Sequence, residues 1–171
     1  MINPEHINSM MEQYLAEHQA DRDNLHVHGF IYVRTFDPTT DETKEERFTP
    51  NLITNGGFGK YLENTLGALV TTLRGTWMQI GTAATSLAGT DTALQGSVST
   101  QAGTFSHTAT TAQGTVTTIF QPGVPAAAAA IVEMGLFDSN NAGTMLCRGT
   151  FAVVNKGTAD SFQATYIHSL S

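Results

Sequence analysis

Formal charge is what this 171-residue chain has least of. Charged residues make up 13% of it, against roughly 25% in an average globular domain. The deficit is concentrated: the fifty-six residues 75–130 hold a single formal charge, Asp91, among Thr, Ala, Gly, Ser and Val. Cysteine is nearly absent too. Cys147 alone excludes a disulfide framework within the chain and a cysteine zinc quartet. In the apolar run Met145-Leu146-Cys147 it is expected to be a small core residue, not a nucleophile. No basic stripe exists to neutralise phosphates, which argues against nucleic acid as a partner. No apolar run approaches the roughly 20 residues of a membrane span; residues 126–132 fall far short. The N-terminus, Met-Ile-Asn-Pro-Glu-His, lacks the basic region and apolar stretch of a secretory signal. The chain is expected to be made in a cytoplasm and to stay soluble, without a cofactor.

What is present is a surface chemistry of hydroxyls. Thr is β-branched and fits a pleated surface, so a Thr-rich, charge-poor stretch predicts strands whose outward faces carry hydroxyls. Such a face is poorly suited to acid–base chemistry and well suited to lying against other protein. The net charge of −7 is local: residues 1–50 hold ten acids and four bases, whereas residues 51–171 hold five and four. A body of roughly 145 residues would bury about two-thirds of its unfolded surface, enough for one self-standing core.

Periodicity divides the chain into an N-terminal helical arm, residues 1–25, and a body, residues 26–171. Residues 3–20 predict a helix, with Asn3 as cap, Pro4 at the first helical position and Glu5 at the positive end of the dipole. Ile7, Met10, Met11, Tyr14 and Leu15 form its apolar stripe. A helix this short needs a docking surface, on its own body or on a neighbouring subunit; the stripe is taken here as the assembly contact. Alternation then starts at Val27. Asp37-Pro38-Thr39-Thr40-Asp41 predicts a turn, and residues 45–53 a return strand whose Lys44, Glu45, Glu46 and Arg47 protect a sheet edge. Asn55-Gly56-Gly57 opens a second helix that presents Phe58, Leu62 and Leu66, with Tyr61 beside them. Strands are predicted at 77–81, 97–103, 104–111, 115–122, 126–137, 144–154 and 160–169. The fold class is therefore mainly β: an antiparallel β-sandwich or jelly-roll-like barrel, with one short packed helix and the helical arm.

Three segments carry a family resemblance. They are Asn51-Leu52-Ile53-Thr54-Asn55-Gly56-Gly57 before the Tyr61-Leu62 helix; Met78-Gln79-Ile80-Gly81-Thr82-Ala83 with Asp91-Thr92-Ala93-Leu94; and Glu133-Met134-Gly135-Leu136-Phe137-Asp138 leading into Thr144-Met145-Leu146-Cys147-Arg148. In that order, over residues 26–169, the chain resembles a class of tailed-bacteriophage virion proteins. It departs from their pattern after Gly81, where a second glycine is missing. The resemblance implies a non-enzymatic particle component with a β-sandwich body, located in the virion. A capsid decoration or cement subunit is the leading expectation, acting as a homo-oligomer (a trimer preferred) beside the major capsid protein. The alternative is a tail-fibre, collar or neck module for receptor or glycan attachment, with Trp77 or Tyr32 as stacking platforms.

Candidate chemistry is sparse. His26-x-His28 places two imidazoles on one strand face but has no third ligand nearby, so no metal site is assigned. Glu133 and Arg148 stand in apolar strands, and a buried carboxylate needs a partner; the two are expected to form a structural ion pair. A single carboxylate with neither a second acid nor a nucleophile supports no hydrolytic mechanism. Asp37, Asp41 and Glu42 lack the ligand spacing of a calcium loop. No catalytic residue is assigned.

Overall fold

The computed structural model describes residues 4–17, 27–66, 76–107, 111–140 and 143–170. Along the chain come α1 (Pro4–Glu17), β1 (Val27–Phe36), β2 (Thr43–Pro50), β3 (Leu52–Ile53), α2 (Asn55–Leu66), β4 (Trp77–Gly81) and β5 (Ser97–Ala102). They are followed by β6 (Thr104–His107), β7 (Gln113–Phe120), β8 (Ala129–Phe137), β9 (Met145–Lys156) and β10 (Ser161–Leu170). Among the described residues the strands make two five-stranded antiparallel sheets, ordered β2-β1-β10-β7-β6 and β3-β9-β8-β4-β5. The alternation of residue types explains the layering. Ile31 and Val33 of β1, Val116 and Phe120 of β7, and Phe162, Ala164 and Tyr166 of β10 face Met78, Ile80, Met134, Leu136, Cys147 and Val154 of the second sheet. The facing sheets bury one apolar core between them.

The architecture is an open sandwich, and the expected barrel alternative is not realised. Instead of a closing ladder, the chain crosses from one sheet to the other at both edges. At one edge β2 passes into β3 through Asn51, whose N–H donates to the Gly29 carbonyl. At the other β5 passes into β6 through Gly103, which lies so close to β7 that a Cβ would sit 2.5 Å from Thr118 Oγ1. The charges of β2 do more than guard an edge. Arg47 donates to the Val153 carbonyl, and Glu45 accepts from the backbone and side chain of Asn155, strapping the first sheet onto β9.

Helix α1 lies on the outer face of the first sheet. Met11 is buried there with Phe30, Tyr32 and Ile167, while Met10, Tyr14 and Phe48 pack around them. The Tyr14 ring meets Phe30 edge-on at 5.2 Å. This explains why β1 is apolar on both faces: its inner residues fill the core and its outer residues meet the helix. Helix α2 packs differently from the expectation. Gly57 is buried, and a Cβ there would lie 2.1 Å from the Leu146 carbonyl oxygen, so it is the glycine side that meets β9. Phe58 and Leu62 point outward, 46% and 60% exposed. Backbone contact through glycine wins because it seats the Thr54 cap on the strand: its hydroxyl donates to the Met145 carbonyl and accepts from Gly57 N–H. No described helix is long and apolar enough to cross a membrane.

Candidate functional site

The charged pair singled out in sequence, Glu133 and Arg148, meets on the outer face of the second sheet, beneath residues 82–96, which join β4 to β5. Gly135 lies opposite Arg148 across β8 and β9, so Glu133, two residues from Gly135, shares a face with Arg148 at diagonal spacing. Both side chains are fully buried. The guanidinium donates from Nε and Nη2 to Glu133 Oε2 at 3.1 and 2.8 Å, and from Nη1 to Asp91 Oδ2 at 2.9 Å. Its remaining donations reach Thr85 Oγ1 at 2.6 Å and the Ser86 carbonyl at 3.3 Å. A guanidinium has five N–H donors, and all five are engaged. Glu133 also receives the backbone N–H of Gly96 at 2.7 Å and of Gln95 at 3.4 Å.

Local sequence makes room for this network. A Cβ at Gly81 would stand 2.5 Å from Glu133 Oε1, so only glycine lets the carboxylate lie across β4. Leu94 drops into the gap above Gly135 and packs with Phe137, Met145 and Trp77. Asp91 is fixed by its own turn, accepting from Ala88 N–H. That bond, with a further contribution from Arg148, holds its carboxyl below the usual carboxylate range. Burial alone would depress the Arg148 guanidinium, but the bonds to Asp91 and Glu133 outweigh it and raise it. Asp91 and Arg148 are thus both held in their charged forms by the bonds between them and their neighbours.

A groove of about 310 Å³ borders the network, between Asn55 and Gly56 at the start of α2, Gly89–Thr92, and Gly143–Met145. Two of its walls are tied together, Asn55 N–H donating to the Gly89 carbonyl, and the third is fixed within its own turn, Thr144 N–H donating to Asp138 Oδ1. The groove offers hydroxyls and one carboxylate already bound to arginine. Among its described lining residues there is neither a pair of carboxylates nor a base–nucleophile pair.

The expected Glu133–Arg148 ion pair is thus present and buried, whereas the roles of Asp91, Thr85 and Ser86 escaped sequence reasoning. Periodicity carries no information about where a loop of this length lies; the one signal was the Asp91-Thr92-Ala93-Leu94 segment in the family resemblance. Of the expected assembly stripe, Met10, Met11 and Tyr14 dock on their own sheet, while the side chains of Ile7 and Leu15 lie outside the described residues. His26 lies outside them as well. His28 is on β1 near Tyr14, and among the described residues no group of three or more His, Cys, Asp or Glu is placed to hold a metal. Cys147 is in the core, its thiol pushed up to about 12 by burial. Trp77 packs under Leu94, and Tyr32 is buried with its hydroxyl donating to Glu46 at 2.7 Å. No protein-family model matches this chain, and neither a curated protein nor a solved structure matches it.

Proposed function

We propose that this protein is a non-enzymatic structural subunit of a bacteriophage particle, a capsid decoration or cement protein that stabilises the shell by repeated contacts. One observation carries the reading. The segments behind the resemblance come together on the second sheet. Asp91, Glu133 and Arg148 share one network in which every guanidinium donor is used. Beside it Thr54 bonds β9, while Asn55 N–H donates to the Gly89 carbonyl of the loop. Residues spent on rigidity in this way support a building unit, because repeated contacts with neighbours gain from surfaces that do not rearrange on binding. On the outer face of the β6 edge Thr104 is exposed and Thr117 half-buried, with Thr165 buried behind them and bonded to Thr117, an edge compatible with the wet, moderately polar contacts of non-obligate interfaces. The fibre-tip alternative rests on Trp77 or Tyr32 as the stacking platform, and both are committed elsewhere; the exposed aromatics Phe58 and Phe105 stand on different elements, α2 and β6.

The test is quantitative mass spectrometry of purified particles from cells producing this chain. A copy number on the scale of the capsid lattice supports decoration. A number matching one symmetric ring moves the protein to neck or tail. Absence from particles overturns the reading.

A further inference from the structure

The two flanks of the sandwich are unlike. On one, β2 carries Lys44, Glu45, Glu46 and Arg47, ends in Pro50 and is strapped to β9. These are the devices by which natural sheets discourage pairing along an edge. On the other, β6 is the last strand of its sheet, bonded to β7 alone among the described residues. All four of its residues, Thr104, Phe105, Ser106 and His107, are exposed. It has no Asp, Glu, Lys, Arg or proline, and its pairing with β7 runs without a bulge. Phe105 lies against the backbone of Gly114 across the pair, yet 55% of its surface remains open. An extended strand with unpaired N–H and C=O groups and an exposed aromatic is a template for one more strand.

We propose that β6 pairs with β6 of a second copy of this chain, antiparallel across a two-fold axis, joining two five-stranded sheets into one. Charge selects this occupant. The acids are concentrated in residues 1–50, whose β2 forms the opposite flank of the sheet, so two copies joined through β6 keep their acidic flanks apart. The edge belongs to a stretch with no formal charge between Asp91 and Glu133, where the local repulsion between like copies is smallest. A two-fold contact must also be compatible with itself, and a neutral Thr-Phe-Ser-His strand sets no like charges against each other. Nothing in it selects an oppositely charged foreign strand. The pairing is short, so association is expected to be weak in solution and to matter where copies are held close together. The inference does not depend on the particle reading.

The experiment is sedimentation analysis of the full chain from micromolar to millimolar concentration, with amide hydrogen exchange at both extremes. A concentration-dependent dimer is expected, with slower exchange at residues 104–107 in the concentrated sample. Phe105→Lys should weaken the dimer by about tenfold or more, because it sets like charges across the pair. Its thermal midpoint, compared with that of the parent, reports whether the exposed site tolerates the change. Exchange in the unmodified chain decides the matter even if that variant misfolds. A strict monomer at millimolar concentration overturns the proposal, as does a dimer that leaves exchange at 104–107 unchanged or that a folded Phe105→Lys variant forms equally well.

Discussion

Arg148 and Glu133 sit where neither can reach water, so each depends on the other. Replacing Arg148 by Met strands a buried carboxylate, and a loss of about 3–5 kcal/mol of unfolding free energy is expected. Urea titration of Arg148→Met and of the Glu133→Gln/Arg148→Met double variant checks it; the double variant should recover part of the loss. A single variant within experimental error of the parent would show that the pair is dispensable. Gly81→Ala belongs to the same scale: its new Cβ would meet Glu133 Oε1 at 2.5 Å and the Gly96 carbonyl oxygen at 2.8 Å. Strain of about 1–3 kcal/mol is expected, comparable with overpacking a core. Cys147, buried and with its thiol pushed up to about 12, should resist a maleimide in the native protein at neutral pH and react at once in denaturant. The ion pair was legible in the sequence because charges within apolar strands have few places to go. Asp91 was not, since its part depends on where a loop of irregular backbone returns.

Helix α1 tests the reading of the amphipathic stripe. Its Met11 fills a site among Phe30, Tyr32 and Ile167 on the same chain, so Met11→Ala should cost about 2–5 kcal/mol if that site cannot collapse. Thermal unfolding of the purified protein measures it, and a near-zero cost would mean that the stripe serves a neighbour instead. At α2, Thr54→Ala removes the cap and the hydroxyl bond to the Met145 carbonyl, with an expected loss of about 1–2 kcal/mol. The strands were nearly all visible in sequence, because alternation between a filled core and a covered or hydroxylated outer face has period two. The orientation of α2 was not. Its apolar residues suggested the packed face, but Gly57 allows the helix backbone to touch β9 directly, and backbone proximity leaves no trace in a hydrophobic pattern. The step from β2 to β3 was likewise read as one strand, since a change of sheet at Asn51 does not interrupt the run of strand-forming residues.

For the molecule as a whole, acid sensitivity should begin well above the carboxylate range. His168, hydrogen-bonded to Tyr61 of α2, has its imidazole pushed down to about 4, chiefly by burial and then by the nearby His28. Between the ordinary value of 6.5 and that figure, the unfolded chain binds a proton that the folded chain refuses. Stability therefore falls as pH drops through this window and, for this group, levels off below it. Asp91 and Asp160, held below the usual range by hydrogen bonds, add their losses only at lower pH. Denaturant midpoints at pH 7, 5.5 and 4.5 should decline for the parent and decline less for His168→Asn; parallel profiles would dismiss the histidine as the cause. The pairing of Val27 with Leu170 at one end of β1 and β10 bears on how the body responds to load. Tension applied through the chain segments flanking these two residues meets the ladder at its tip and opens it rung by rung, like a zip fastener. The same ladder sheared along its strands would have to break many rungs together, so an anchor that bears load would do better on the flanks than at these ends.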